Sequence, residues 1–459
     1  MLPARSAPVH VAGLVAAACG CFLRYLVGQD TSVLPLDALV VGAVALVVAL
    51  VRRRWGPVVG MVVAAHPLTT HDVLGPVLQP AGPTELVAAL LVAVGVGVAL
   101  AAGVVAVARP APRPGGRWAL PAAVGVLGLL VVAVAGYVVR NTTYASWDAA
   151  RVERAGFVER RVEVGGTAMN YAEGPDNGPP LLLVHGQLTD WRSWSRVLPG
   201  LAQRFHVFAV DCPGHGASDR LPGGYTAEAL VAGTAGFVRQ VIGEPVVVVG
   251  HSSGGLVAAG LAADAPDLVR AAVLEDPPLF SSVLPRARHT FNHVDLASTA
   301  HGFLRSGRTD FTSYYIAHTA VWDLFGPGGA NLRERALERR AARPDEPLSL
   351  WMLPPTVNEP YRAMPEYDPR FGEAFFDGSF HRGFDHAVVL RRITAPVVLV
   401  HASWSYDANG VLLAAMDADD ARRARSLLRD VEFHEVDTGH GFHVEDPERF
   451  LDLVLPLGR

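Results

Sequence analysis

The chain has 459 residues, half of them hydrophobic and 18% charged, which is too long for one average domain and too apolar for a disordered protein. Residues 1–140 carry a net charge of +5 and the remainder a net −10, so the larger acidic part lacks the basic face that nucleic acid requires. Three cysteines exclude a disulfide framework.

The front of the chain reads as a membrane region. Charge-free apolar runs at 86–108 and 118–139 have the length of spans, as do 9–27 with Arg24 and 34–51 with Asp37 near their ends. A weaker stretch, 57–78, turns polar at His66, His71 and Asp72 and reads as a span end or loop. Arg clusters at 52–54 and 109–117 both face the cytoplasm only if this stretch also crosses. Five spans then put the amino terminus inside, the large domain outside, and membrane lipid among the partners. Cations are all arginine, which with abundant Ala, Val and Gly suggests a GC-rich bacterial genome. The expected organisation is a transmembrane region over 1–140, a linker over 141–154, a core in two parts (155–276 and 386–459), and an insertion at 277–385.

From residue 155 the pattern alternates. Short alternating runs at 157–164 and 167–173, joined by Gly165-Gly166, predict a hairpin. Solid apolar runs predict strands at 181–184, 205–210, 246–249, 269–274, 396–400 and 431–436. Helical patterns lie at 191–203 and 226–242, after residue 252, at 414–428, and from Pro447. Strands separated by helices, each a Val/Leu run, indicate a parallel sheet covered on both faces. The insertion is irregular, aromatic and proline-rich.

Chemistry concentrates at the strand ends. Gly250-His251-Ser252-Ser253-Gly254 follows one strand directly and opens a helix. That sharp turn needs small neighbours and pushes the serine oxygen outward, and the helix amino terminus behind it favours developing negative charge. His185-Gly186 ends an earlier strand. Asp211-Cys212-Pro213-Gly214-His215-Gly216-Ala217-Ser218-Asp219 follows the next. Asp437-Thr438-Gly439-His440 follows the last, with Glu445, Pro447 and Phe450 after it. A histidine there can take the serine's proton and return it to a leaving group; His443 competes with His440 for that role.

Taken together these motifs resemble the αβ-hydrolase superfamily over about residues 155–459. The resemblance implies an α/β fold with a mostly parallel eight-stranded sheet, helices on both faces and a helical cap at 277–385. It implies Ser252 as nucleophile, His440 as base, and the backbone N–H groups of Gln187 and Ser253 as the oxyanion hole. Asp211 and His215 then hold the fold. The family places the acid after the penultimate strand or, in a minority, after the strand before the insertion. Asp407 fits the first slot in the chain order Ser252, Asp407, His440, two residues beyond the usual spacing; Glu275 and Asp276 fill the second. Phe280, Phe291, Trp322, Phe325, Trp351, Tyr361 and Phe384 either line an apolar pocket under the cap or form its own core. The charged run 333–343 reads as a solvated helix face.

A serine at this position points to an acyl-enzyme and away from the epoxide and halide chemistry of relatives that carry aspartate there. The substrate class is then an apolar ester, thioester or lactone. No metal or nucleotide motif is present, and no cofactor is expected. Two other classes stay open: a non-hydrolytic member of the fold, such as a lyase or a cofactor-free haloperoxidase-like enzyme, and a membrane-tethered binding or sensor protein with an inactive site.

Overall fold

The computed structural model describes residues 119–221, 223–350 and 355–458. Four of the five expected spans therefore lie outside the described residues, as do His66, His71 and Asp72. The fifth run falls on a helix, Ala119–Arg154, which continues without a break through the expected linker. No Gly or Pro interrupts residues 141–154, and Arg151 pairs with Asp148 at i,i+3. Among the described residues no helix is long and apolar enough to cross a membrane.

The compact unit that holds the site is Ala145–Ser349 with Pro355–Arg459. Its centre is one eight-stranded sheet: β1 (Val158–Val164), β2 (Thr167–Glu173), β3 (Pro180–Val184), β4 (His206–Val210), β5 (Val246–His251), β6 (Val269–Glu275), β7 (Val397–His401) and β8 (Val431–Glu435). Their spatial order is β1-β2-β4-β3-β5-β6-β7-β8. β1 and β2 are antiparallel to their neighbours, and β4, β3, β5, β6, β7 and β8 run parallel. Leu181, Leu182, Leu183, Val247, Val248 and Val249 are wholly buried, because helices cover both faces of the central strands. Each contributes roughly 1.5–3 kcal/mol relative to exposure.

Helix boundaries follow local chemistry. Thr226 caps Ala227–Phe237 by accepting the Ala229 N–H. A capping box between Asp417 and Asp420 starts Ala418–Leu427, four residues later than the apolar pattern suggests. The predicted helix at 191–203 is a 3-10 turn, Trp191–Arg196, followed by Leu198–Leu201, with Pro199 setting the new start.

Between β6 and β7 the insertion is less irregular than its composition suggests. It folds into short helices, including Ser298–Ser306, Phe311–His318, Gly329–Ala342, Pro355–Ala363 and Pro369–Phe376. Arg333, Glu334 and Arg335 are exposed on Gly329–Ala342, as a solvated face requires. Buried polar contacts seat this cap on the sheet. Arg362 donates from both terminal nitrogens to Asp190, at 2.8 and 2.7 Å, and also to Glu359. Tyr225 donates to Asp368 at 2.7 Å, and the Asp368 N–H donates to the Gly214 carbonyl at 2.8 Å.

Candidate active site

The parallel strands bring their carboxyl ends to one edge, and the sequence motifs meet there. Ser252 follows β5 with φ 55° and ψ −123°, a left-handed conformation that a non-glycine residue adopts only under strain. The flanking glycines allow the turn by close approach. A Cβ on Gly250 would lie 2.3 Å from the Gly254 carbonyl oxygen, and one on Gly254 would lie 2.3 Å from that of Val184. The helix Ser253–Asp264 begins directly behind the serine.

The Ser252 N–H donates to the Glu275 carbonyl at 2.9 Å, which extends the β5–β6 ladder as far as the serine. The next residue, Asp276, therefore sits beside it. Asp276 is 1% exposed, with φ 42°. Its own N–H donates to the Val400 carbonyl, and its Oδ1 accepts from Ala402 N–H at 3.3 Å. Its Oδ2 lies 2.7 Å from His440 Nδ1. That bond assigns the ring proton to Nδ1 and leaves Nε2 as a lone-pair nitrogen. Burial works against a charged His440, but the hydrogen bond and charge of Asp276, with Glu275 and Glu445 beyond, raise its pKa above the ordinary imidazole value.

Asp407 stands elsewhere. Its Oδ1 accepts the N–H groups of Asn409 and Val411, both at 2.8 Å, closing a surface turn in the long loop after β7. Those bonds, that from Val411 first, hold its carboxyl below the usual range. The acid that the sequence favours is thus replaced at His440 by Asp276, from the slot after β6. Glu275, the neighbouring carboxylate at the end of β6, pairs with His443 instead. It is fully buried and accepts from the backbone and the ring Nδ1 of His443, at 3.0 and 2.7 Å. His443 therefore cannot take the place of His440.

Gln187 and Ser253 line the same cavity of about 310 Å³ as Ser252 and His440. The Gln187 side chain donates to Tyr367 of the cap at 2.7 Å, and Leu188 after it holds φ 63°. His185 fixes the base of this loop. Its Nε2 accepts the Cys212 N–H at 2.9 Å and its Nδ1 meets the Gly186 carbonyl at 2.7 Å. Burial lowers its pKa to about 4. Asp211 accepts from Trp191, Asn170 and Ala217, and burial and the nearby Asp190 carboxylate raise its pKa to about 7. His215 packs edge-on against Tyr367 and Phe371 of the cap. Neither Asp211 nor His215 lines the cavity that holds Ser252.

Of the aromatic residues expected at the cap, Phe291 lines the cavity, joined by Phe375. Phe280 and Phe384 line a separate surface groove. Trp322 and Tyr361 are buried, and Phe325 packs against Trp322. Trp351 lies outside the described residues. Two further residues join the site: His251, the variable position of the serine motif, and Asp295, which no motif announces. His251 is buried and its Nε2–H donates to the His440 carbonyl at 2.9 Å, tying the end of β5 to the loop after β8. Asp295 reaches the cavity from the cap. Among the described residues no cluster of three or more His, Cys, Asp or Glu is arranged to hold a metal ion.

Residues 179–314 match the family model of the alpha/beta hydrolase fold. This segment runs from β3 through Ser252 and Asp276 into the cap. With the sheet order, it defines the class: the chain has the alpha/beta hydrolase fold. It is 36% identical over 120 residues to a 2-(acetamidomethylene)succinate hydrolase of Mesorhizobium japonicum, spanning 26% of this chain and 43% of that protein. It is 34% identical over 155 residues to a soluble epoxide hydrolase of a Corynebacterium species, spanning 34% of this chain and 52% of that protein. Similar solved structures include a membrane phospholipase A, 22% identical with a TM-score of 0.47, covering 73% of this chain and 97% of that one. Another is the enol-lactonase of Burkholderia xenovorans, 21% identical with a TM-score of 0.44, covering 65% and 99%.

Proposed function

We propose that this chain is a serine hydrolase that cleaves an ester-like bond through an acyl-enzyme. The observation that carries the reading is the strained Ser252, which shares one cavity with His440 while the Nδ1 of that histidine is held by Asp276. Nε2 of His440 takes the serine proton as Oγ attacks the substrate carbonyl. The backbone N–H groups of Gln187 and Ser253 receive the oxyanion. His440 then gives the proton to the leaving alcohol or thiol. Water, deprotonated by the same nitrogen, releases the acid and restores Ser252. Asp276 keeps its charge and stabilises the imidazolium. One relative is named for epoxide hydrolysis, but serine at the nucleophile position favours acyl transfer here. Ser252 and His440 in one cavity, with Asp276 on the histidine ring, also count against the reading as an inactive sensor.

The test is labelling of the full-length chain with a fluorophosphonate, with p-nitrophenyl esters of graded length as substrates. The wild type should take one label and turn over the esters. Ser252→Ala should take none and keep less than about a hundredth of the turnover. Labelling that persists in Ser252→Ala overturns the mechanism.

The apolar run at 86–108 favours anchoring in a lipid bilayer, with the catalytic unit outside the cytoplasm as the arginine clusters favour. Alkaline phosphatase is active only outside. Fusions after Tyr144 and within 80–84 should both be active, and an inactive but well-expressed Tyr144 fusion overturns that sidedness.

A further inference from the structure

Asp295 is a carboxylate on the wall of the cavity that holds Ser252 and His440. It lies between Val294 and Leu296 in a π-helical turn, His293–Ala297, a wide turn often found at functional sites. It is 2% exposed. Its Oδ2 accepts from the Tyr315 hydroxyl at 2.5 Å, and its Oδ1 accepts from the Thr319 hydroxyl at 2.9 Å and the Ala320 N–H at 2.7 Å. A carboxylate offers about four acceptor directions, and these bonds fill three. No ion pair involves Asp295 among the described residues; the groups that act on it are neutral donors. The cavity lining contains no arginine, and the chain has no lysine at all. A buried carboxylate without a counter-charge is costly, and the cavity is the side from which a further donor can arrive.

We infer that the substrate carries a hydrogen-bond donor, a hydroxyl or an ammonium, on the part of its acyl group remote from the scissile bond, and that Asp295 receives it. The inference rests on the acyl-enzyme reading above and narrows it. The apolar wall of Leu188, Leu296, Phe375 and Leu413 holds the chain between the two ends. An acyl group ending in a carboxylate would meet Asp295 as a like charge and be rejected.

The experiment uses the full-length chain and p-nitrophenyl esters of four- to eight-carbon acids that end in a methyl, a hydroxyl or a carboxylate. At one chain length the ω-hydroxy ester should exceed the methyl ester by roughly tenfold in kcat/KM, mainly through KM, and the carboxylate ester should be slowest. Asp295→Asn should reduce the hydroxyl preference and the carboxylate penalty together. Asp295→Glu reaches one methylene further and should move the preferred acyl length down by about one carbon. Equal use of methyl and hydroxyl esters at every length overturns the inference while the serine mechanism stands. So does a preference for carboxylate, or a hydroxyl preference that survives Asp295→Asn. This comparison among wild-type substrates needs no variant to fold. If no ester is turned over and Ser252 takes no fluorophosphonate, the serine reading fails first, and this inference with it.

Discussion

Glu275 and His443 form a second acid–histidine couple directly behind Asp276 and His440. The two acids are consecutive at the end of β6, and the two histidines belong to one loop after β8. Glu275 Oε1 takes both the backbone N–H and the ring Nδ1 of His443, and both side chains are buried. The ring of His443 lies against that of Trp194, with centroids 4.1 Å apart. This inner couple clamps the loop at two points, so His440 meets Asp276 with its lone-pair nitrogen free.

Glu275→Ala should therefore lower both stability and rate. The buried ring and backbone N–H of His443 would lose their acceptor, which costs about 1–3 kcal/mol for each donor left unpaired. Glu275→Gln keeps one acceptor oxygen and should cost less. Urea unfolding and kcat/KM on one ester measure the two effects. A stable Glu275→Ala with normal turnover would show that the clamp is not needed.

The outer couple makes a sharper forecast. Asp276→Asn removes the charge that fixes the His440 tautomer and stabilises the imidazolium, so kcat should fall on the order of 10⁴-fold. Asp407→Asn alters a surface turn that only its own loop uses, and should leave kcat within about twofold of the wild type. Steady-state kinetics of both variants on one ester decide between them. Collapse in Asp407→Asn alone would require a loop movement that carries this carboxylate to His440.

The difference between these two acids marks where sequence reading stops. The sheet was legible because the central strands β3, β5 and β7 are solid Val/Leu runs. Ser252 and His440 were legible because both sit in short, rigid strand-end motifs whose spacing is local. The acid was not, since two strand ends offered carboxylates, and only the distance across β6 and β7 separates Asp276 from Asp407. The Glu275–His443 couple joins residues 168 apart in sequence, and no local pattern announces it. The cap's short helices were hidden by the proline-rich composition, since several proline residues there stand in first turns, where they favour helix.

The Arg362–Asp190 contact should be the most costly link between cap and core. Both side chains are largely buried, and the bond is bidentate. Burial alone would raise the Asp190 carboxyl, but Arg362 and Arg192 hold it at about 2. Arg362→Met leaves that carboxylate buried with only Arg192 nearby, which should cost about 3–5 kcal/mol. Asp190 also begins the turn that follows Gln187, so KM should rise as the cap loosens. Denaturant unfolding together with KM tests this. An unchanged midpoint would mean that water compensates Asp190 fully.

The pH dependence separates two histidine effects of opposite sign. His440 must be neutral to act as base, and its pKa is raised by Asp276, Glu275 and Glu445 against the opposing effect of burial. Turnover should therefore fall as pH drops, with a midpoint above the ordinary value near 6.5. The same raised pKa means that the His440 contribution to stability is fully present below about 6.5 and is lost as pH rises through the folded value. His185 acts the other way. Burial lowers its pKa to about 4, so the unfolded chain binds a proton that the folded chain refuses. Its contribution is intact above about 6.5 and declines as pH falls toward 4, by roughly 3 kcal/mol over that window. A profile of kcat/KM against pH should accordingly begin its acid descent where the fold, followed by circular dichroism, is still intact. Asp276→Asn, which removes the principal raising influence, should shift the residual descent to lower pH. A descent that stays in place in that variant, or that coincides with unfolding, would show that His440 is not the group being titrated.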